Sequence, residues 1–232
     1  MPEGPQAPPE GPQAPPEGPQ APPERLQTPP ERLQTPPETA AASPGALLRS
    51  PDSGRRVKPP PLAGAAALAA ELAAGVRGEV RFDAGSRALY ATDASNYRQV
   101  PIGVVVPRDA ADVEATLAAC RRHGAPVLAR GGGTSLAGQC CNVAVVLDFS
   151  KYMHRLLELD PERRLARVEP GIVLDTLRQE AERHHLTFGP DPATHERCTL
   201  GGMIGNNSCG VHALMAGKTV DNVEELEVLT YD

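Results

Sequence analysis

The chain has no tryptophan, only three phenylalanines and four tyrosines, and a formal charge of −6 over 232 residues. Scarce rings and mild acidity, with no long basic run, exclude a general nucleic-acid binder, which needs a cationic face. No stretch approaches the roughly 18 apolar residues that cross a bilayer, and no apolar signal core opens the sequence. The five cysteines, Cys120, Cys140, Cys141, Cys198 and Cys209, include no C-x-x-C pair, and adjacent Cys140 and Cys141 are poorly placed to bridge each other. Free thiols in a reducing cytosol follow, so a cytoplasmic location is expected. Without a C-x-x-C-x-x-C run or a Cys/His/carboxylate spacing that suits zinc, neither an iron–sulfur cluster nor any other metal site is expected here.

What the chain does hold is unevenly spread. Nineteen of its 26 prolines lie in residues 1–61, which contain no Phe or Tyr. Such a segment has little apolar surface to set against its ordering entropy, and it is read as a disordered tail. Residues 2–36 are five copies of a seven-residue unit, PEGPQAP three times and PERLQTP twice. A Pro-Pro junction in each unit forbids a continuous helix. Polyproline II fits it as a spacer or a ligand for proline-binding modules, but a bare tandem duplication that carries no chemistry is the preferred reading. Residues 62–232 then make one domain, about 170 residues with enough chain for one core.

Within that domain the pattern becomes regular. "LAGAAALAAELAAGVRG" is a packing helix closed by glycines, and "IGVVVP" is a buried strand ended by proline. Asp109 N-caps a helix over "DAADVEATLAACRRHG", with Val113, Leu117 and Cys120 as its apolar stripe and Gly124 as its stop. "PVLAR" is the next strand and runs straight into "GGGTSLAG"; "VAVVLDFS" is another. "HRLLELDPERRLARVEPG" reads as a hairpin, "VLDTLRQEAERHH" as an amphipathic helix and "VEELEVLTYD" as a last strand. The order describes an α+β domain with mixed sheets.

The glycine loop Arg130–Gly138 admits three readings. A Walker A loop needs a lysine, and residues 129–150 contain none. A Rossmann turn needs G-x-G-x-x-G before a helix, whereas Gly131, Gly133 and Gly138 are off that spacing and a strand follows. The third reading is a nest of backbone N–H groups, joined by the hydroxyls of Thr134 and Ser135 and turned onto an anion; the alternative is a plain turn. A second glycine-rich stretch, "FGPDPATHERCTLGGMIGNNSCG" at 188–210, reads as a long loop poor in regular structure, with small side chains and amides and no charge among its Thr, Gly, Asn and Ser positions. Two such loops suit an extended ligand with a phosphate middle.

"ARGGGTSLAG", "PGIVLDTLRQEA" and "PDPAT…CTLGGMIGNNSCG", in that order, resemble the FAD-binding domain of the vanillyl-alcohol-oxidase-type flavoproteins, the PCMH fold, over about residues 75–232. Within it the chain is most similar to the glycolate-oxidase-subunit and D-lactate dehydrogenase group, and "GGMIGNNSCG" resembles the large D-lactate dehydrogenases that carry iron–sulfur segments downstream. The resemblance implies FAD. It implies that Gly131, Gly132, Gly133, Thr134, Ser135 and Gly138 receive the pyrophosphate, and that Pro190, Asp191, Pro192 and Thr194 line the path to the isoalloxazine. Gly201, Gly202, Asn207, Ser208 and Gly210 would cover the flavin and adenosine side. Thr134 stands where some relatives place a flavin-linking histidine, so the FAD is expected to be non-covalent.

The implied reaction is oxidation of a D-2-hydroxy acid, with hydride passing from the α-carbon to flavin N5 and electrons leaving to a quinone, a cytochrome or an iron–sulfur centre. Relatives continue into a cap domain that supplies substrate-binding arginines and catalytic histidines. The expectation is therefore of a domain incomplete at its C-terminus, its cap lacking or supplied by a separate chain, and no catalytic residue is assigned. His184 and His185 read as compensation of a helix dipole, His195 as a residue of the second glycine-rich loop, and Cys198 and Cys209 as small buried hydrophobes. Two alternatives stay open: a flavoenzyme resembling UDP-N-acetylenolpyruvoylglucosamine reductase, and an inactive truncated flavin-binding or interaction protein.

Overall fold

The structure, a computed structural model, describes residues 63–231. The heptapeptide repeat and the domain boundary at residue 62 lie outside those residues. The first helix, α1 (Ala65–Gly75), forms where alanine and leucine dominate; Leu68 and Leu72, one turn apart, are its buried residues. Strand β1 (Glu79–Arg81) and a short helix α2 (Ala84–Leu89), N-capped by Asp83, come next. Strand β2 (Gly103–Val106), helix α3 (Ala110–Arg122), β3 (Val127–Arg130) and β4 (Val145–Asp148) fall where the apolar runs place them.

These strands form one sheet in the order β1-β2-β4-β3, with β1 antiparallel to β2 and the other pairs parallel. Every residue of the two central strands is buried, as expected of strands covered on both faces. Alternation along them makes two cores. Val105 and Val145 face α1 and α3, against Leu68, Leu72, Ala119 and Cys120. Val104, Val106 and Val146 face Tyr90, Leu128 and Tyr152. The chain passes from β2 to β3 through α3. From β3 it returns to the parallel neighbour β4 without any helix, through the glycine loop alone. A parallel crossover normally spends a helix on that return, so this loop runs back along the sheet as irregular backbone.

A third core lies beside the hairpin β5 (Leu156–Asp160) and β6 (Leu165–Val168), whose turn is held by Asp160 accepting from the Arg163 amide at 2.9 Å. Helix α4 (Leu174–Glu182) and a further helix α5 (Leu200–Asn206) bury Leu174, Leu177, Leu200 and Met203 together with Ile172 and Cys198. A short helix α6 (Ala213–Ala216) and a 3-10 turn at Thr219–Asn222 end the regular structure.

Four expectations are corrected. The face of α3 that is buried carries Asp112, Thr116, Ala119 and Cys120, whereas Val113 and Leu117 are only half-buried. Asp112 turns inward because its two carboxylate oxygens accept the amides of Arg77 and Arg108, both at 2.9 Å. The second glycine-rich stretch is no simple loop, since α5 lies inside it. "VEELEVLTYD" forms no ladder with any described strand; Leu226, Val228 and Leu229 are exposed, and the segment is tied down by the Tyr231 hydroxyl donating to the Ala125 carbonyl at 2.9 Å. Alternation needs a partner strand to become structure. Cys209 is exposed rather than buried, while Cys198 is in the core. Among the described residues no helix is long and apolar enough to cross a membrane.

Glu79 shows how the sheet edge is fastened. It accepts from Lys151, from the Tyr152 hydroxyl at 2.6 Å and from Arg81, and these partners, Lys151 first, hold its carboxyl down at about 2. A carboxyl lowered in the folded state stabilises fully above its ordinary value, and that contribution is lost as pH falls toward the folded one. Glu79→Gln should therefore be less stable than the parent at neutral pH, with the gap narrowing below about pH 4.5 and closing near 2. Urea unfolding of both proteins across that range is the check; a constant gap would mean that the charge is idle.

Candidate functional site

The C-terminal ends of β2, β4 and β3 share one edge of the sheet, where open α/β sheets place their ligands. Arg130 closes β3, and its guanidinium reaches three carbonyls: Cys140 at 2.9 Å, Thr92 at 2.8 Å and Tyr90 at 3.3 Å. It thus pins the end of the glycine loop to the chain after α2, and it lies 5.4 Å over the Tyr90 ring. Burial first, then the hydrogen bond from its own hydroxyl to Asp148 at 2.6 Å, push the Tyr90 phenol up, so it stays a donor. Asp93 completes the fastening. It accepts the Cys140 amide at 3.2 Å and the amide and hydroxyl of Ser95; against burial, which raises it, these bonds hold its carboxyl below the usual range.

Between those anchors the loop is bare. Among the described residues, the backbone N–H groups of Gly131, Gly132, Gly133, Thr134 and Ser135 donate to no acceptor. Gly133 and Gly138 sit in the left-handed region at φ +65° and +80°, where a side chain would be strained. This donor set, uncommitted inside the protein and half-exposed, is what a nest for an anion requires. Residues of this kind fit the pyrophosphate of a dinucleotide.

Gly131 and Gly132 owe their lack of a side chain to something else. A Cβ on Gly131 would lie 2.0 Å from Thr199 Oγ1, and one on Gly132 would lie 2.1 Å from the Arg197 carbonyl oxygen. The glycine loop therefore rests directly on residues 197–199, where Thr199 caps α5 by accepting the Gly202 amide at 3.3 Å. Gly201 in turn is wedged against Pro170, with its amide bonded to the Pro170 carbonyl at 2.8 Å.

The other expected positions are placed differently. Pro190 is buried, and its carbonyl accepts from Arg178 at 3.1 Å. The Asp191 carboxylate is committed to the amide and ring Nδ1 of His212, and a Cβ on Gly210 would strike Asp191 at 2.1 Å. Pro192 and Thr194 form a turn, the Thr194 carbonyl accepting from Arg197 and Cys198, each at 2.8 Å. Asn207 takes the left-handed position that ends α5 and accepts the Val220 amide, while the Ser208 carbonyl accepts from the Thr219 hydroxyl. Gly202 is exposed near the cap. Structure thus brings the first loop onto Arg197–Thr199, while Asn207, Ser208 and Gly210 make their contacts with Asp191 and the 219–220 turn. His195 is bound to Asp175 of α4, with Nδ1 at 2.8 and 2.9 Å from its two oxygens. Among the described residues no three metal-binding side chains gather.

Arg130, Asp93 and Arg178 were not foreseen as site residues. Asp93-Ala94-Ser95 carries a visible turn signal, but nothing local tells where Arg130 reaches.

The FAD binding domain family matches residues 101–232. D-2-hydroxyglutarate dehydrogenase of Escherichia coli (strain K12) is 39% identical over 152 residues, which are 64% of this chain and 15% of that protein. Glycolate oxidase subunit GlcD of the same strain is 38% identical over 140 residues, 60% of this chain and 28% of that subunit. The chain thus spans less than a third of either relative. Among solved structures, alkyldihydroxyacetonephosphate synthase superposes with a TM-score of 0.60 at 21% identity, over 67% of this chain and 34% of that one. p-Cresol methylhydroxylase does so with a TM-score of 0.55 at 18% identity, over 62% and 29%. The fold is the expected α+β, PCMH-type one.

Proposed function

The chain belongs to the FAD binding domain family, and from that premise we propose that it is the cofactor-binding portion of an oxidoreductase acting on a D-2-hydroxy acid. FAD is the cofactor of this family. When bound, it supplies the redox chemistry, taking hydride from the substrate α-carbon at its N5. This chain's own part is to bind and orient. The amides of Gly131–Ser135 and the turn at Gly138 receive the pyrophosphate; Pro190, Asp191, Pro192 and Thr194 border the path to the isoalloxazine. Gly201, Gly202, Asn207, Ser208 and Gly210 cover the remaining side. The observation that carries the reading is the run of uncommitted N–H groups at the ligand edge of the sheet. Similarity to D-2-hydroxyglutarate dehydrogenase and to GlcD supports the substrate class. The electron acceptor, and whether the groups that remove the substrate proton lie on further chain or a separate partner, belong to the complete enzyme; none is assigned among residues 63–231.

The test is an absorbance scan of the purified chain after reconstitution with FAD, then acid precipitation. A protein-bound flavin spectrum with all the colour released to the supernatant is expected, because Thr134 offers no ring nitrogen for a covalent link. Colour retained in the pellet would overturn non-covalent binding. A chain folded by circular dichroism that takes up no flavin would overturn the site assignment. With the groups that remove the substrate proton present as well, bleaching by D-2-hydroxyglutarate, D-lactate or glycolate, without bleaching by NADPH, is the expected signature of the substrate class.

A further inference from the structure

The turn that follows α2 is laid against the glycine loop at three points. Residues 92–99 close on themselves through the antiparallel bridge between Thr92 and Arg98 and through the Gln99 amide on the Ala91 carbonyl at 2.9 Å. From this turn the Ala94 amide donates to the Gly133 carbonyl at 3.1 Å, and Asp93 accepts the Cys140 amide. The third point is the ring of Tyr97. A Cβ on Gly138 would fall 2.8 Å from Tyr97 Cδ2 and 3.0 Å from Cγ, so the ring lies on the bare backbone of the loop's left-handed corner. The backbone of Tyr97 is itself held, its amide by the Ser95 hydroxyl at 3.1 Å and its carbonyl by the Cys141 thiol at 3.9 Å.

Single exposed apolar side chains are ordinary on a protein surface, so exposure alone carries nothing. What separates Tyr97 is how the other rings are used. Tyr90, Tyr152 and Tyr231 each commit the hydroxyl to a fixed acceptor: Asp148, Glu79 and the Ala125 carbonyl. Tyr90 and Tyr152 pack against the sheet, and Phe82 and Phe188 against the first and third cores. Tyr97 is 58% exposed, and its hydroxyl has no partner among the described residues. Leu136, two residues before Gly138 on the loop itself, is exposed as well. An open aromatic ring therefore stands at the corner of a run of uncommitted amides. A phosphate with a planar heteroaromatic ring attached presents the matching pair of groups, charge for the amides and a π-face for the tyrosine.

We propose that Tyr97 is a binding residue for the cofactor, its open ring stacking on one of the two planar groups, adenine or isoalloxazine, that flank the pyrophosphate of FAD. The inference rests on the assignment of the glycine loop to FAD. A tyrosine ring fixes only two torsions on stacking, and here the backbone that carries it is already bound, so little ordering opposes the contact. The hydroxyl takes no part.

Affinities of the full chain for FAD, ADP, FMN and inorganic pyrophosphate test it, FAD by fluorescence titration and the others by calorimetry. Tyr97→Phe should bind FAD as the parent does, since the ring is kept. Tyr97→Leu, which still fills the contact with Gly138, should bind it about three- to tenfold more weakly, the range of an aromatic stacking pair. Pyrophosphate carries no ring and should bind the parent and Tyr97→Leu equally, whereas a residue that only shaped the loop would weaken both ligands. One half of the dinucleotide should repeat the loss, ADP if the stacked ring is adenine and FMN if it is isoalloxazine. Equal affinity of Tyr97→Leu and parent for FAD, a loss of pyrophosphate matching that of FAD, a loss already complete in Tyr97→Phe, or a loss shared by neither ADP nor FMN would each overturn the stacking and leave the loop as an FAD site. A folded parent that binds neither FAD nor pyrophosphate would instead overturn the cofactor assignment, and the proposal with it.

Discussion

Gly132→Val is expected to abolish FAD retention and to cost about 1–3 kcal/mol of stability, the usual range for overpacking. The reason lies in what the missing side chain would meet. A Cβ at this position falls 2.1 Å from the Arg197 carbonyl oxygen and 3.0 Å from its carbon, and both are backbone that cannot rotate away. The φ angle of Gly132 is not in the left-handed region, so backbone conformation does not demand glycine there. Contact between the two loops does. Valine must therefore lift the glycine loop off its floor, scattering the amides of Gly131–Ser135 by displacements that hydrogen bonds to a pyrophosphate do not tolerate. Gly205→Ala is the control. It lies on α5 with nothing within 4 Å, so it should leave flavin content unchanged and stabilise by about 0.4–1 kcal/mol through helix propensity. Flavin absorbance per protein and urea midpoints read both effects. A Gly132→Val protein that is destabilised yet fully yellow would separate loop packing from the anion site.

That prediction also shows what could be read in the sequence. Glycine composition marked the loop as a candidate anion nest, since bare amides are a local property. It gave no sign that Gly132 is also held against the Arg197 carbonyl, far along the chain. Capping was legible for the same local reason: Asp109 accepts the Asp112 amide at the start of α3 as its position foretold. The buried face of α3 was not, because Asp112 is drawn inward by amides of Arg77 and Arg108 that belong to other segments. Helix α5 was hidden by its composition. "LGGMIGN" has poor helix propensity, and it folds because Thr199 caps it and Leu200 and Met203 fill the third core. "VEELEVLTYD" misled in the opposite direction, having the alternation of a strand but no ladder partner.

Arg130→Lys should lower FAD affinity by about tenfold or more, although it keeps the charge, because the geometry of the donor is what matters. The guanidinium spans the carbonyls of Tyr90, Thr92 and Cys140 from one planar group, so the strand end, the chain after α2 and the end of the glycine loop are fixed as a unit. An ammonium is a point donor and cannot bridge the three. The released Cys140 carbonyl lies at the return of the loop, and the neighbouring Cys140 amide would rest on Asp93 alone. A loop left with that bond and the Ala94 amide on the Gly133 carbonyl at 3.1 Å samples arrangements in which its free amides diverge, and the cofactor must bear the entropy of gathering them. Gly133 is a second contact, since a Cβ there would lie 2.7 Å from the Arg130 guanidinium; the arginine also props the left-handed turn from beneath. Unfolding midpoints should change less than affinity, because both sheet cores are untouched. Titration of FAD against parent and variant, with urea unfolding in parallel, distinguishes this from global damage: equal affinity would show that the loop holds its shape without Arg130, whereas equal losses of stability and affinity would make the arginine a fold residue.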